Sequence, residues 1–456
     1  MRLSEKIVRT GYFWLPSSEI KCPGTLTIDD GGEIELEITG QLDNNFISPD
    51  LVQMPRIVGE IEIDGAVTLE NCFYRTRNIG NVAKSIICGH VAYIGVLYEA
   101  GEEAKFSSFS FSFDCIDEWV GITGIDVQYG KDYRSAKVSY NRPDTINIQL
   151  VDGFSLAIYF AYKLPSIPSI SEAKISQRPV FSIKSSTERG LDDFIELSYK
   201  IVTLMCIAID EIVSINNVTV ESKELTTTFN DHTQPVSIKT YYPSLPYTEK
   251  KPKQNHHYML FTYKTISEKF ESILINWLTN HNNLSPALNL YFSTKNGAYR
   301  YTDSIFLALC QGIETYHRRT TSETLMPEEE FKSLVSEILE NCPIEKKTWL
   351  QGRLMFGNEI NLAKRITQII QPFEQHFGDA EYRKRFVRKI VDTRNYLTHY
   401  SNQLEKKSMK GRELWDATQK LEALYQLHIL RVIGFSDTDI DGAIQKSHRL
   451  SQKLRI

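Results

Sequence analysis

The sequence has 456 residues, of which 41% are apolar and 24% charged, enough for two or three packed domains of an ordinary globular protein. Its most apolar run, 201–209, is far shorter than the roughly 20 residues of a membrane-spanning helix, so no contact with a membrane is expected. Seven scattered cysteines without a CxxC pair argue against a disulfide framework or a zinc site and predict reduced thiols in a cytoplasmic protein.

The two halves of the chain differ in charge. Residues 1–249 hold 21 Lys and Arg against 34 Asp and Glu, whereas residues 250–456 hold 31 against 23. The basic second half suits an anionic partner, although composition that simply varies between domains accounts for the same numbers.

Residues 1–245 are predicted to form a β-rich domain, because short alternating or β-rich stretches recur there between Gly, Asp and Asn. The clearest of these stretches are 24–30, 33–42, 56–73, 105–114 and 145–153. Many short strands at close spacing favour a sandwich or a curled sheet. One apolar helix near 191–213 is predicted among the later strands, and a subdivision is possible near residue 165.

A stretch rich in Pro, Lys and polar residues at 246–257 is predicted to be a linker, and residues 258–456 are predicted to be all helical. Apolar residues recur in this second part with the 3.6-residue period of helices. The predicted helices are 267–282, 303–319, 327–342, 359–377, 380–401 and 412–434. The fold class is therefore α+β, with a β-rich, sandwich-like domain followed by an all-α bundle.

Arg394 lies in the middle of the apolar stripe of the helix predicted at 380–401. A charged side chain is rarely buried without a partner, because an unpaired buried charge is strongly destabilising. Three explanations are open. The arginine pairs with a carboxylate, for which Glu314 on an earlier helix is the best candidate, or it faces an open cleft, or it faces a second copy of the chain.

Arg394, Asn395 and His399 together form a recognisable chemical set. A guanidinium offers a planar donor fork to phosphate oxygens, a histidine moves protons near neutral pH, and an amide can orient an oxygen atom. Asn395 and His399 are four positions apart and share a helix face. The basic run at 383–389 on the same helix would attract a polyanion. An Arg-x4-His spacing by itself also occurs by chance in many proteins.

Several stretches resemble one known family. "RNYLTHY" at 394–400 resembles the Arg-x4-6-His motif of the HEPN superfamily, with a polar residue directly after the arginine. "FLALCQGIETYHRR" at 306–319 is similar to an early helix of the ApeA-like HEPN branch, which carries a Glu followed closely by His and Arg. "GYFWLP", "GTLTIDDGGEIELEITG", "VTLENC" and "FSFDCIDEWVGITG" resemble the ApeA N-terminal domain. The resemblance therefore covers nearly the whole chain.

The resemblance implies a HEPN endoribonuclease that needs no metal or other cofactor and serves bacterial anti-phage defence by abortive infection. Two motifs would face each other in a homodimer or a higher homo-oligomer, with RNA as the substrate and a phage-derived trigger as the activator. Arg394, Asn395 and His399 would then be catalytic. The acidic first domain is poorly suited to RNA and is expected to be a sensor or regulator.

The remaining candidate residues have a functional and a structural explanation. Glu314 is expected to position Arg394 or His399, or else to form a surface or structural ion pair. The residues expected to contact RNA, unless they only form solvated helix surface, are His317, Arg318, Arg319, Arg388 and Lys389.

Two other functions stay open. A non-catalytic HEPN-like regulatory protein that binds a nucleotide or a partner would have the same helices, although the presence of both Arg394 and His399 favours the enzyme. A carbohydrate-binding sandwich with a helical dimerisation tail accounts for the front half only and leaves both residues without a role. The sequence does not name the RNA or the trigger.

Overall fold

The computed structural model describes residues 1–42, 53–78, 83–165, 170–229 and 232–455. They form two compact units, Met1–Leu278 and Thr279–Ile456. The first is strand-rich and the second is helical, which confirms the predicted α+β class. The segment predicted as a linker, 246–257, lies in the first unit, and the predicted domain limits stay a prediction. The possible subdivision near 165 adjoins residues 166–169, which lie outside the described part.

The strands belong to the first unit. They are β1 Ile7–Trp14, β2 Cys22–Ile28, β3 Ile34–Thr39, β4 Gln53–Ile61, β5 Gly65–Asn78, β6 Lys84–Gly89, β7 Val91–Ile94, β8 Lys105–Phe113, β9 Ile125–Tyr129, β10 Ala136–Tyr140, β11 Ile146–Gln149, β12 Phe154–Lys163, β13 Ser176–Gly190, β14 Ile215–Glu221, β15 Thr226–Phe229, β16 His232–Pro235 and β17 Ile238–Tyr241.

The helices occur in both units. They are α1 Ile116–Val120, α2 Leu191–Ile209, α3 Tyr263–Ile266, α4 Phe270–Ser293, α5 Thr302–Thr320, α6 Glu328–Glu340, α7 Lys347–Leu354, α8 Leu362–Ile370, α9 Ala380–His399, α10 Asn402–Glu405, α11 Gly411–Val432, α12 Asp437–Lys446 and α13 His448–Arg455. Short 3-10 helices cover His256–Tyr258, Ile344–Lys346 and Gln371–His376.

Six strands of the first unit close a barrel. Around it, β1 pairs with β2, β2 with β3, β3 with β6, β6 with β5, β5 with β4, and β4 with β1, all antiparallel. Alternate side chains point inward, as Ile34, Leu36 and Ile38 of β3 do. Gly59 of β4 makes room for the buried ring of Phe13, because a Cβ there would lie 2.6 Å from a ring carbon.

The sheet continues beyond the barrel through β5, which also pairs with β7. From β7 the antiparallel order runs β17, β14, β8, β13, β12 and β11. Helix α2 packs on β8 and β13, with the ring of Phe194 stacked 6.0 Å from that of Phe109. Of the two predicted arrangements, the strands thus adopt the curled sheet, closed at one end into a barrel.

Helix α11 is the centre of the helical unit, and every residue from Lys420 to Leu430 is buried. It packs against α5, α12 and α13, while α5 also contacts α8 and α9. The helix predicted at 359–377 ends at Ile370 and continues as a 3-10 turn, because Pro372 lacks the N–H that an α-helix needs. The helix predicted at 380–401 ends at His399, since Tyr400 adopts a left-handed conformation with φ 49°.

Candidate active site in the helical unit

Helix α9 carries the candidate catalytic residues and is fixed at both ends. The Asp379 side chain accepts a hydrogen bond from the Tyr382 N–H at 2.7 Å, which caps the helix N-terminus. The buried face of the helix holds Phe386, Val387, Ile390, Thr393 and Leu397. The position of Arg394 next to this face is therefore set by rigid packing and not by a loop.

Arg394 is only partly withdrawn from solvent, with 36% of its side chain exposed. Its Nη2 lies 3.7 Å from Oε2 of Glu314 on α5, and its Nη1 donates a hydrogen bond of 3.2 Å to Oδ1 of Asn395. The pairing with Glu314, one of the three explanations for this arginine, is thus present within one chain. Because about a third of the Arg394 side chain remains exposed, the same residue can still contact a phosphate oxygen.

Glu314 is shared between two arginines. Its Oε1 accepts a hydrogen bond of 3.1 Å from Nη2 of Arg318, while its Oε2 faces Arg394. Arg318 also pairs with Glu359 at 2.5 Å, and these hydrogen bonds, the one to Glu359 first, raise the pKa of Arg318. Arg318 lowers the pKa of Glu359 in return. The result is an alternating chain of charges, Glu359, Arg318, Glu314 and Arg394, that ends at the candidate site.

His317 lies inside the helical unit and contacts Arg365, which pairs with Glu359 of this row of charges. The residue is 5% exposed, and Nη1 of Arg365 donates to its Nδ1 at 3.1 Å. Its Nε2–H therefore donates to Oε1 of Gln368 at 2.8 Å, so the ring is the neutral tautomer with its proton on Nε2. Burial lowers the pKa of His317, and the nearby Arg365 lowers it further. A direct RNA contact, expected for this histidine, needs an exposed ring, whereas the ring packs under α8.

His399 is the last residue of α9 and is exposed. It follows Arg394 by five positions, about 7.5 Å along the helix axis and about 140° around it. The neighbouring Thr398 is also exposed, and its hydroxyl donates to the Arg394 carbonyl oxygen at 2.7 Å. The structure thus presents an exposed histidine and a partly exposed arginine at the same end of one helix.

Of the other predicted RNA contacts, Arg388 and Arg319 are exposed, whereas Lys389 is half-buried. Arg388 has 77% of its side chain exposed and lies 3.8 Å from Asp392, while Lys389 lies 3.2 Å from Glu413. Arg319 is exposed at the end of α5. Water-screened pairs of this kind are worth little, so these cations can exchange their carboxylates for phosphates at small cost.

Two supporting residues escaped the sequence reasoning. Arg365 is almost fully buried and holds both His317 and, at 3.6 Å, Glu359. Thr393 is fully buried and accepts the Met409 N–H at 2.9 Å. The one available signal was that each polar residue falls on the apolar face of a helix, as Arg394 does.

The described residues contain neither a candidate metal cluster nor a candidate membrane-spanning helix. No group of three or more His, Cys, Asp or Glu side chains among the described residues could hold a metal ion. In the part of the chain that the structure covers, no helix has the length and apolarity needed to cross a membrane.

Two models of known protein families match the chain. The family model for ApeA N-terminal domain 1 matches residues 8–277, more than half of the sequence. The chain belongs to the ApeA family. A second model, Apea-like HEPN, matches residues 307–439.

All candidate site residues of this ApeA-family chain lie inside the HEPN match, from Glu314 on α5 to His399 on α9. The protein is therefore a HEPN-family defence protein, and HEPN domains are in general nucleases. No curated protein and no solved structure matches the chain.

Proposed function

We propose that this ApeA-family protein is a cytoplasmic, metal-independent endoribonuclease of a bacterial anti-phage system that acts by abortive infection. The observation that carries the proposal is the end of α9, where partly exposed Arg394, held by Glu314 and Asn395, precedes exposed His399. The active unit is proposed to be a homodimer in which two such helix ends face each other. That arrangement gives a reason for the exposed polar surface beside the packed face of α9.

The proposed reaction uses the nucleophile that RNA carries. His399 takes the proton of a ribose 2′-hydroxyl while the 2′-oxygen attacks the adjacent phosphorus. The bond from phosphorus to the 5′-oxygen breaks, and protonated His399 of the partner subunit gives a proton to that oxygen. The products are a 2′,3′-cyclic phosphate and a 5′-hydroxyl, so no proton is gained or lost overall.

Arg394 is proposed to stabilise the negative charge that grows on the phosphorane oxygens. A planar cationic donor that is already held in place costs no reorganisation during the reaction. Glu314 fixes the guanidinium through one oxygen and is itself fixed by Arg318 through the other. Asn395 accepts a hydrogen bond from the other terminal nitrogen of the guanidinium, Nη1.

The substrate is proposed to reach the site along exposed Arg388 and half-buried Lys389 of α9, with Arg318 and Arg319 at the end of α5. These contacts are to phosphates and carry no sequence preference. The acidic, strand-rich first unit is proposed to be the regulator that answers a phage-derived trigger.

The experiment is RNA cleavage by the purified full chain in EDTA, with the ends of the products analysed. Wild type is compared with His399→Ala and Arg394→Ala, and with His376→Ala and Arg412→Ala as matched controls elsewhere in the helical unit. We expect both site variants to lose cleavage about a hundredfold or more, which is the usual size of a general acid–base contribution. The controls should keep wild-type rates, and the products should end in cyclic phosphate.

Two results would refute the proposal. Loss of wild-type cleavage in EDTA would require a metal in the reaction. Equal cleavage by wild type and both site variants would place the chemistry at another site.

A further inference from the structure

A helical excursion between α5 and α8 has no core of its own. It covers residues 327–357 and consists of α6, the 3-10 turn Ile344–Lys346 and α7. All of its residues are described, and none of them is buried. Helices of thirteen and eight residues are marginal in water without a packed face. In a single chain, the excursion therefore lacks the buried apolar contacts that stabilise short helices.

The base of the excursion, by contrast, is firmly closed. Leu325 N–H donates to the Asn358 carbonyl oxygen at 2.9 Å. The buried side chain of Asn358 accepts from the Met326 N–H and donates to the Met326 carbonyl oxygen, both at 3.0 Å. The two helices thus leave the bundle as a fixed pair, because α6 also packs on α7.

Large apolar side chains stand in solvent on this pair. Six of them are between 37% and 83% exposed: Leu334, Ile338, Ile344, Trp349, Met355 and Phe356. Leu334 and Ile338 lie one turn apart on the same face of α6, whereas Trp349 belongs to α7 and Phe356 lies in the turn that follows it. From side-chain areas on the order of 200 Å² each, these exposed parts amount to about 700 Å² of apolar surface.

That area matches what one partner contributes to a stable protein interface, about 800 Å² in all. A complete second protein surface, and not a single short peptide or side chain, is needed to cover it.

The charges around the patch are arranged so that the patch complements itself. Helix α6 carries five glutamates and one lysine. Residues 344–354, which include α7, carry Lys346, Lys347 and Arg353 against one acid, Glu345. A two-fold axis that lays α6 of one copy on α7 of the other brings the acidic helix onto the basic one twice.

We infer that the excursion is a homotypic docking surface, which binds the same excursion of a second copy of this chain about a two-fold axis. The inference goes beyond the proposed ribonuclease and does not depend on it. The contact buries Trp349 and Phe356 at its centre and gives the two short helices of each copy the packed face that they lack.

The first test measures the mass of the full chain by sedimentation equilibrium. Trp349→Glu/Phe356→Glu is compared with wild type and with Tyr301→Glu, which adds a charge at an exposed aromatic residue outside the excursion. We expect the double variant to have half the wild-type mass, with the association midpoint raised at least tenfold. Tyr301→Glu should associate like wild type. All three substituted side chains are exposed, so the fold should be unaffected.

The second test identifies the partner as the same surface. One chain carries Glu329→Lys/Glu330→Lys on α6, and another carries Lys346→Glu/Lys347→Glu at the start of α7. Each alone sets like charges against each other and should associate at least tenfold more weakly than wild type. A one-to-one mixture restores both pairings of the two-fold contact and should regain wild-type association.

Three outcomes would overturn the inference. Wild type could have the mass of one chain at all concentrations, or the mass could be unchanged in the Trp349/Phe356 variant. The mixture could also fail to associate better than either chain alone. Binding to phosphatidylglycerol vesicles that the Trp349/Phe356 variant loses, with its mass unchanged, would show that a membrane covers the patch instead.

Discussion

Acidification is expected to destabilise the helical unit through His428. This residue of α11 is buried, with its ring centroid 5.0 Å from that of Tyr316 and 4.9 Å from that of Phe373. Its Nε2–H donates to the Ile369 carbonyl oxygen at 2.7 Å. Burial lowers the pKa of His428 from 6.5 to about 4, although the hydrogen bond to Ile369 opposes the change. The ring is therefore neutral in the folded protein near pH 6.

The unfolded chain binds a proton at His428 below about pH 6.5, whereas the folded chain binds it only near pH 4. This residue thus leaves stability unchanged above pH 6.5 and reduces it progressively as the pH falls from 6.5 to 4. At about 1.4 kcal/mol per pH unit, the difference in pKa corresponds to a loss of about 3 kcal/mol.

The assay is urea unfolding of the full chain between pH 7 and pH 4, followed by helix ellipticity. His428→Gln keeps a donor for the Ile369 carbonyl but has no titrating group. Between pH 7 and pH 4 its free energy of unfolding should therefore decrease by about 3 kcal/mol less than that of wild type. His399→Gln, at an exposed histidine of the same unit, should follow wild type. Parallel pH curves for wild type and His428→Gln would refute the assignment of a neutral, buried His428.

Two substitutions test the support of the candidate site. Thr393→Val keeps the shape of the side chain but leaves the Met409 N–H unpaired, so urea unfolding should show a loss of about 1–3 kcal/mol; no loss would mean that water replaces the hydroxyl. Glu314→Gln should lower kcat/KM for RNA about tenfold by releasing Arg394, while stability changes by less than about 1 kcal/mol. Glu271→Gln, at an exposed residue of α4, is its surface control, and equal rates for the two variants would contradict a positioning role.

The second unit was the more predictable part of the fold. Apolar residues at helical spacing located α5, α9 and α11 within a few residues, because each of these helices has one face against the bundle. The same spacing located α6, although this helix buries no residue. Helix α7 was missed, since a short helix that buries no residue has no clear stripe to detect. The short helices α12 and α13 were missed as well.

The barrel could not be derived from the sequence. Its strands were visible as alternating stretches, but closure depends on β6 pairing with both β3 and β5. Such pairings join residues that are distant in the chain, and local pattern does not name a strand's neighbours. The fold class was therefore predictable, whereas the strand order was not.

The candidate site shows the same division between local and distant information. The position of Arg394 on an apolar face could be seen within one helix, and that oddity pointed to Glu314, which lies 3.7 Å away. The burial of His317 could not be seen, because its partner Arg365 is 48 positions further along the chain. The catalytic roles of Arg394, Asn395 and His399 stay a prediction until cleavage is measured.

Closure of the barrel has a consequence for how the first unit behaves at high concentration. A long antiparallel sheet normally ends in two open edges, whose unpaired N–H and C=O groups invite another chain to add a strand. Here β6 returns to β5, so one end of the thirteen-stranded sheet is sealed. Among the described strands of that sheet, the edge left open is β11, Ile146–Gln149, only four residues long. Within this sheet, the hazard of edge-to-edge aggregation is therefore confined to one short segment.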